Sequence, residues 1–492
     1  MVGSIASRAR RIVSVCSTSF LHTAAVLGVS LVAMSFAASA AAGQLPAAGD
    51  QFLGTWQGTL GSPAAQLQLG LGIARDPSGA LLVALTSGNQ PGLKIPAAAA
   101  LHGDTLVVTI DMVHGSYVAV AVGDSLIGVF TQNGNALPFH VGRVGALAAH
   151  HSQDPQPPFP YQTRDVSIPS VGGVTLAGTL TVPAGRGPFP AVVLVPGSGR
   201  EDRDESFLGH KPFLVFADYL ARHGIASLRY DDRGVAKSTG IFAGATSADL
   251  ASDAQSAVHF LGTQTGIARD RVGIVGHSEG GMIGAMIAAR STDVAFLVML
   301  AAPGLPGDSV VMLQKQALFA HNGLDPVQMR QAVHFTRQVY DVAKSDEDSA
   351  SATAKIQTLT RNYIASLPGD EQANAGNDGL EASAATVTGA WFRYLLRFDP
   401  RSALTRVHVP VLALGGSLDD QVTSAENLPA IEGALKAAGD RDVRVVTVPN
   451  VNHSLQTVPS TGSTDPANID ETVSPAVLDS VASWIAQRFV KP

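Results

Sequence analysis

Cysteine is almost absent from this chain. Its 492 residues include one cysteine, Cys16, which lies in the N-terminal stretch described next. The remaining sequence therefore contains no disulfide and no cysteine-based metal site. Basic clusters are absent as well, because the formal net charge is −7 and the lysines and arginines do not gather into a block. That balance gives nucleic-acid binding no electrostatic support.

Apolar runs long enough to suggest a membrane segment occur only near the start, where residues 1–42 are predicted to be a secretory signal peptide. Three arginines within the first eleven residues give a basic start, and residues 24–36 form the apolar run. Residues 37–40, AASA, supply the small side chains that a signal peptidase requires. Because the apolar run is short and ends in small residues, we expect no stable membrane anchor. The protein is thus expected to be secreted or periplasmic.

Residues 45–147 are predicted to form a small all-β domain, either an antiparallel barrel or a sandwich. Apolar residues alternate with small or polar ones over residues 67–73, which is the period of a half-buried strand. Further apolar runs occur at residues 81–85, 105–110, 117–122 and 126–130. No catalytic constellation is visible there, so we expect a packing domain. It could instead supply a wall for the substrate or the surface of a homodimer.

Residues 148–165 are predicted to be a linker, because the segment DPQPPFP at residues 154–160 suits neither a helix nor a central strand. From residue 166 to residue 492, strand-like and helix-like segments alternate. That alternation is typical of a mostly parallel sheet with helices on both faces. A last helix is predicted to start with Ser474 as its cap and Pro475 in its first turn.

Residues 304–397 interrupt this alternation and are expected to form a helical cap inserted over an active site. Their helix-like segments lie near residues 309–321, 325–344, 352–366 and 384–397.

The most specific local pattern is the pentapeptide GHSEG around Ser278. The apolar residues 272–275 precede it and predict a buried strand, and residues 281–290 predict a helix. Strand, G-x-S-x-G and helix together are the context of a nucleophile elbow. Such a tight turn requires small neighbours and holds the serine in a strained conformation with its hydroxyl exposed. Ser278 is therefore the predicted nucleophile.

A serine nucleophile needs a base, and the base needs an acid that fixes its tautomer. Asp419 and His453 each follow a predicted strand, at the sheet edge where the carboxyl ends of parallel strands converge. The order Ser278, Asp419, His453 is the one expected of an α/β-hydrolase triad. Asp420 is the alternative acid. His277 is a weaker candidate for the base, because it is fixed beside the nucleophile.

The oxyanion that forms during acyl transfer needs two backbone N–H donors. One is predicted to be Glu279, which directly follows the nucleophile. The other is expected in the loop PGSG at residues 196–199, where Ser198 is chosen because glycines on both sides let its backbone approach a substrate.

Residues from about 166 to 492 resemble bacterial secreted α/β-hydrolase-fold serine esterases of the serine aminopeptidase-like group. The matching segments are VPGSGREDRDES, LRYDDRGVAKSTG, GHSEGG, PVLALGGSLDDQV and VNHSLQ, and the β-rich leader with GTWQG and GVFTQ is also similar. The resemblance implies the roles of nucleophile, acid and base for Ser278, Asp419 and His453, and of oxyanion donors for Ser198 and Glu279. The chain departs from the group at Asp232 and at Val235-Ala236, where relatives often have a lysine and a glycine.

The resulting prediction is a carboxylic-ester hydrolase that acts through an acyl-enzyme on a small-molecule ester. The compact cap and the resemblance favour short acyl chains, and this chemistry needs no metal or cofactor. A serine aminopeptidase on the same fold is the alternative, and its substrate's ammonium group would be held by Glu201, Asp202, Asp204 and Glu279. A lipase and a non-catalytic binding protein on an inactive hydrolase scaffold are further interpretations.

Overall fold

The computed structural model describes residues 49–490 apart from several short segments: 63–64, 76–79, 88–89, 111–114, 124, 133–134, 145–150, 208–209, 322–323, 368–383, 440–441, 461–465 and 467–468. The predicted signal peptide at residues 1–42 lies outside the described residues. Within the described part of the chain, no helix combines the length and apolar character needed to cross a bilayer.

The first domain is a closed barrel of eight antiparallel strands. Each strand pairs with the next along the chain, and the first and last strands pair to close the barrel. The strands are β1 (Gly54–Ser62), β2 (Ala65–Arg75), β3 (Leu81–Ser87), β4 (Gln90–His102), β5 (Thr105–Ile110), β6 (Gly115–Val122), β7 (Ser125–Gln132) and β8 (Asn135–Val144). Closure satisfies the backbone groups that an open sheet edge would expose. Of the two predicted all-β architectures, the structure has the barrel.

Aromatic side chains fill the interior of the barrel. Trp56, Tyr117 and Phe139 are fully buried, and the rings of Tyr117 and Phe139 meet edge to face with their centroids 5.2 Å apart. The Tyr117 hydroxyl donates to backbone carbonyls, which satisfies its polar atom inside an apolar core. The pattern of alternating residues does not predict β4, because that strand contains two prolines and a run of alanines. Pairing with both neighbours forms it nevertheless.

The second domain is built on an eight-stranded sheet with the order β16-β15-β14-β13-β11-β12-β10-β9. Strands β11 to β16 run parallel, whereas β10 is antiparallel to both of its neighbours. The strands are β9 (Tyr161–Pro169), β10 (Thr175–Pro183), β11 (Phe189–Val195), β12 (Ala226–Tyr230), β13 (Ile267–His277), β14 (Phe296–Leu300), β15 (Val411–Gly416) and β16 (Val443–Val448). This sheet and its flanking helices confirm the predicted α/β-hydrolase fold.

The sheet begins earlier than the sequence predicts. Tyr161 already pairs with Pro183, so β9 occupies residues that were expected to lie in the linker. The prolines that exclude a central strand end at Pro160, and the residues after it are free to pair along the sheet edge.

Helices cover both faces of the sheet. On one face lie α2 (Ser247–Gly262), α3 (Glu279–Ala288) and α9 (Ser424–Ala437), which pack into one buried apolar cluster. On the other face lie α1 (Pro212–Arg222) and α10 (Pro475–Phe489), which form a second cluster. Ser474 is the cap residue of α10, but its side chain makes no capping bond and instead accepts from Thr457.

The cap lies between β14 and β15 and contains α4 (Gly307–His321), α5 (Pro326–Lys344), α6 (Ser349–Ala365) and α7 (Ala390–Arg397), before the short α8 (Arg401–Leu404). The prediction of one helix over residues 384–397 is wrong, because the helix is interrupted before Ala390. Gly389 has extended backbone angles and starts α7 as its cap. The hydroxyl of Thr388 bonds back to the carbonyl of Ala384, which ends the preceding turn.

Two buried ion pairs hold the loop that follows β12. Arg203 makes a two-pronged contact with Asp231, at 2.8 and 3.0 Å. Arg233 makes a similar contact with Asp253 of α2, at 2.6 and 2.9 Å. Asp231 and Arg233 thus fix the loop through their ion pairs, and neither has a hydrogen bond to Ser278.

We expect Asp253→Asn to lower the free energy of unfolding by about 2–3 kcal/mol, because it leaves the mostly buried Arg233 without its counter-charge. Asp270→Asn is the matched control. Asp270 is 82% exposed and its oxygen lies 3.9 Å from Arg271, so its loss should change the free energy by less than about 0.5 kcal/mol. Urea unfolding of both variants is the measurement, and equal midpoints would contradict the expectation.

Candidate active site

Ser278 lies in a sharp turn between β13 and α3. Its φ of 52° and ψ of −119° are a strained conformation for a non-glycine residue. Glycines on both sides make the turn physically feasible. A Cβ on Gly276 would lie 2.2 Å from the carbonyl oxygen of Gly280, and one on Gly280 would lie 2.1 Å from that of Val195. The turn therefore has the geometry of a nucleophile elbow.

A continuous chain of hydrogen bonds joins Ser278, His453 and Asp419. The Ser278 Oγ lies 3.2 Å from the Nε2 of His453, and both carboxylate oxygens of Asp419 lie 3.0 Å from the Nδ1 of His453. The Asp419 side chain is fully buried, and its Oδ1 also accepts from the backbone N–H groups of Gln421 and Val422. These bonds fix the carboxylate toward the imidazole. Asp420, the alternative acid, is exposed.

The loop with the predicted oxyanion donor Ser198 lies beside the nucleophile. A Cβ on the preceding Gly197 would be only 3.4 Å from the Cβ of Ser278, so the backbone passes close to the serine. The N–H of Gly197 already donates to Glu205 Oε1 at 2.6 Å. The second predicted donor, Glu279, is the first residue of α3, and a first-turn N–H has no acceptor within its own helix.

The side chain of Glu279 links the elbow to the cap. Its carboxylate accepts from the Ser247 hydroxyl at 2.5 Å and from the Trp391 Nε1, which lies 3.0 and 3.2 Å from its two oxygens. Trp391 belongs to α7, so the cap makes direct contact with the residue that follows the nucleophile. The sequence gives no sign of this contact, because the two residues are 112 positions apart.

His277 is held on both ring nitrogens. Its Nδ1 lies 2.9 Å from Glu205 Oε1, and its Nε2 lies 3.0 Å from the backbone oxygen of His453. Burial opposes a charged ring, but the nearby Glu205 and the bond to His453 outweigh burial and raise the pKa of His277 to about 9. His277 is thus a cation at neutral pH with no free nitrogen, which makes it unsuited to be the base.

Glu201 and Asp232 are two further buried carboxyl groups near His277 and Glu205. Burial, together with Glu205 and Asp232, raises the pKa of Glu201 to about 9. Burial also raises the pKa of Asp232, whose Oδ2 accepts from the N–H of Glu201 at 3.1 Å. Asp232, the departure from relatives, therefore belongs to a buried group of carboxyls rather than to an exposed loop.

The four residues considered for an ammonium site do not share one environment. Glu201 and Glu279 are buried. Asp202 instead accepts from the backbone N–H groups of Asp204 and Ser206 within its own turn, and Asp204 pairs with Arg229. Among the described residues, no group of three histidine, aspartate, glutamate or cysteine side chains is arranged to hold a metal ion.

A cavity of about 570 Å³ lies between α7 of the cap and the start of α2, lined by residues that include Thr246, Ser349, Tyr394 and Phe398. Thr246 precedes Ser247, and Ala390, also in the lining, precedes Trp391. The lining of this open cavity includes neither Glu279 nor Trp391, and none of the three residues of the Ser278, His453, Asp419 series.

We expect Gly280→Ala to abolish the reaction of Ser278 with a fluorophosphonate probe, because the added methyl group would overlap the Val195 carbonyl and open the elbow. Gly433→Ala in α9 is the control. Its Cβ would meet nothing within 4 Å, so it should leave labelling unchanged and add about 0.5–1 kcal/mol of stability. Mass spectrometry of the labelled proteins is the measurement, and normal labelling of Gly280→Ala would contradict this account.

Comparison with known proteins finds esterases that are similar to this chain. An esterase of Thermotoga maritima, EstD, is 27% identical over 335 residues, which cover 67% of this chain and 69% of that protein. Among solved structures, a thermophilic carboxylesterase cloned from a metagenomic library is 18% identical, with a TM-score of 0.41, over 70% of this chain and 94% of that one. An esterase of Pyrococcus furiosus is 13% identical, with a TM-score of 0.41, over 67% and 92% of the two chains.

The pattern of the X-Pro dipeptidyl-peptidase (S15) family matches residues 172–451. The match covers more than half of the chain and includes Ser278 and Asp419, and it ends two residues before His453. It agrees with the relationship to α/β-hydrolase serine hydrolases that the sequence motifs predict. The chain therefore belongs to the X-Pro dipeptidyl-peptidase (S15) family.

Proposed function

We propose that this protein is a carboxylic-ester hydrolase that works through a serine acyl-enzyme. The observation that carries the proposal is the hydrogen-bonded series Ser278, His453, Asp419 at a strained elbow. A nucleophile, a base and an orienting acid in this geometry are the parts that acyl transfer requires. The similarity to an esterase of Thermotoga maritima supports an ester as the substrate.

In the proposed mechanism, His453 takes the proton of Ser278 while Oγ attacks the ester carbonyl. Asp419 keeps the Nδ1 proton in place and stabilises the imidazolium that forms. The backbone N–H groups of Ser198 and Glu279 donate to the oxyanion. His453 then protonates the leaving alcohol, and a water molecule activated by the same imidazole hydrolyses the acyl-enzyme.

A serine peptidase is the second candidate, because the family to which the chain belongs is described by a dipeptidyl-peptidase activity. Peptide substrates with a free N-terminus would bring an ammonium group into the site. Two of the four carboxylates considered for that group, Asp202 and Asp204, are engaged in a turn and in an ion pair. This engagement favours the esterase over the aminopeptidase.

The N-terminal 42 residues support a second part of the proposal, which is export to the periplasm or the medium. A basic start, an apolar run and a cluster of small residues are the features of a cleavable signal peptide. Export predicts that the protein recovered outside the cytoplasm lacks these residues, and N-terminal sequencing of the secreted form tests it.

Ser278→Ala should lower kcat for p-nitrophenyl acetate by about 10⁴-fold or more, because in the described part of the chain the Ser278 hydroxyl is the one that hydrogen-bonds the His453 ring. Steady-state rates of the wild type and the variant are the measurement. Undiminished turnover in Ser278→Ala would mean that another residue is the nucleophile.

The two neighbouring aspartates supply a matched pair for the same assay. Asp419→Asn should lower kcat by about 10⁴-fold, because the amide no longer fixes the tautomer of His453. Asp420→Asn changes an exposed side chain and should keep the wild-type rate. The opposite ranking would assign the acid to Asp420.

Acyl-chain length tests the proposed substrate class. We expect kcat/KM for p-nitrophenyl esters to fall as the chain grows from acetyl to decanoyl, because the cap helix α7 contacts Glu279 beside Ser278 and should limit the room for an acyl chain. Aminoacyl-p-nitroanilides are the comparison substrates and should be turned over at least about 100-fold more slowly. Rates that rise with chain length would indicate a lipase, and efficient anilide turnover would indicate the peptidase.

A further inference from the structure

Glu205 is a buried carboxylate in an unusual backbone conformation. Its φ of 52° lies in the left-handed region, where a non-glycine side chain is strained. The residue is 7% exposed. A turn in which its N–H donates to the Asp202 carbonyl holds it from one side, and the ion pair between Asp204 and Arg229 holds it from the other. Strain of this kind persists only where surrounding contacts impose it, and it is concentrated at functional sites.

One oxygen of Glu205 contacts two separate parts of the proposed machinery. Its Oε1 accepts from the backbone N–H of Gly197 at 2.6 Å and from the Nδ1 of His277 at 2.9 Å. Gly197 directly precedes the proposed oxyanion donor Ser198, and His277 directly precedes Ser278. The carboxylate therefore joins the loop after β11 to the elbow.

The ring of His277 extends this contact to the proposed base. Its Nε2 donates to the backbone oxygen of His453 at 3.0 Å, and the two imidazole rings lie 5.1 Å apart at an angle of 43°. Because both neighbours of the ring are acceptors, both ring nitrogens must carry hydrogen, and the ring is an imidazolium. Its charge is offset by Glu205 in a site from which water is largely excluded.

We infer that Glu205 and His277 are positioning residues, forming a charged pair that sets the oxyanion loop and the backbone of His453 relative to Ser278. The inference rests on the proposed function. Neither side chain needs to touch a substrate, since each acts through a backbone group of a neighbouring part. Misplacement by about 1 Å of a group that acts in the transition state can cost about 100-fold in rate.

The first test is Glu205→Gln, which keeps the size of the side chain and removes its charge. We expect kcat for p-nitrophenyl acetate to fall by about 10- to 100-fold while KM changes by less than about threefold, because positioning acts in the transition state. Asp253→Asn is the control for general destabilisation, since it breaks a buried ion pair that does not contact the site. It should lower the melting temperature and keep kcat. A Glu205→Gln enzyme with wild-type kcat would overturn the inference.

The second test uses the wild-type protein and does not depend on the folding of Glu205→Gln. Raising the pH through the His277 pKa of about 9 removes a proton from one ring nitrogen. That nitrogen can then no longer donate to its acceptor, either Glu205 or the His453 carbonyl, so the pair loses a hydrogen bond and kcat should fall. His277→Gln should lack this alkaline step, with a lower kcat throughout. Wild-type kcat that stays constant up to pH 10, after subtraction of the uncatalysed rate, would overturn the inference.

Other ionisable groups around His277 are Glu205, Asp419, the ring of His453 and Glu201, and the pKa of Glu201 is also raised to about 9. Glu201→Gln therefore accompanies the pH series. It should keep the alkaline step, and a step that disappears in Glu201→Gln but remains in His277→Gln would assign it to Glu201 and refute the pair.

Ser278→Ala distinguishes failure of the proposed function from failure of the positioning inference. If Ser278→Ala is inactive and Glu205→Gln keeps the wild-type kcat, the proposed esterase function holds and only the positioning role is rejected.

Discussion

The close approach of strand and helix at Gly276 and Gly280 is the constraint on which the rest of the site depends. Val195, at the end of β11, packs its carbonyl where a side chain of residue 280 would lie. That contact brings the loop after β11 against the start of α3, so the backbone around Ser198 and Glu279 meets beside Ser278. A larger residue at either glycine would separate these parts before any catalytic side chain was changed.

The buried charges around the elbow follow from the same crowding. His277 lies at the end of β13 with a side chain that is 13% exposed, and its charge is balanced by a carboxylate from the loop that follows β11. At Glu201 and Asp232, burial and the neighbouring carboxylates raise the pKa of both groups, that of Glu201 to about 9. The site thus combines one compensated ion pair with a buried acid, Glu201, whose pKa of about 9 keeps it protonated at neutral pH.

The sequence predicts the parts of this site that are encoded locally. Ser278 is visible because glycines, a preceding apolar strand and a following helix are contiguous, and Asp419 and His453 because each directly follows an apolar strand. Local signals also distinguish the all-β segment from the parallel sheet. They fail for β4, because two prolines and a run of alanines obscure the strand pattern and the strand forms by pairing with its neighbours. They also fail at Gly389, where the helical pattern of the sequence continues although the helix is interrupted.

Contacts between distant segments have no comparable signal. Glu205 and His277 are 72 positions apart, and Glu279 and Trp391 are 112 apart. In each pair, one residue adjoins Ser278 in the GHSEG pattern. That pattern does not indicate which distant residue its partner is. The carboxylate of Glu279, the proposed oxyanion donor, is bound by the Trp391 Nε1 of the cap. A shift of α7 must therefore either break this contact or move the start of α3. The identity of the cap residue at position 391 therefore bears on the geometry of Glu279, whose side chain it contacts and whose backbone N–H it does not bond. Variation in the cap is thus expected to affect the proposed chemistry.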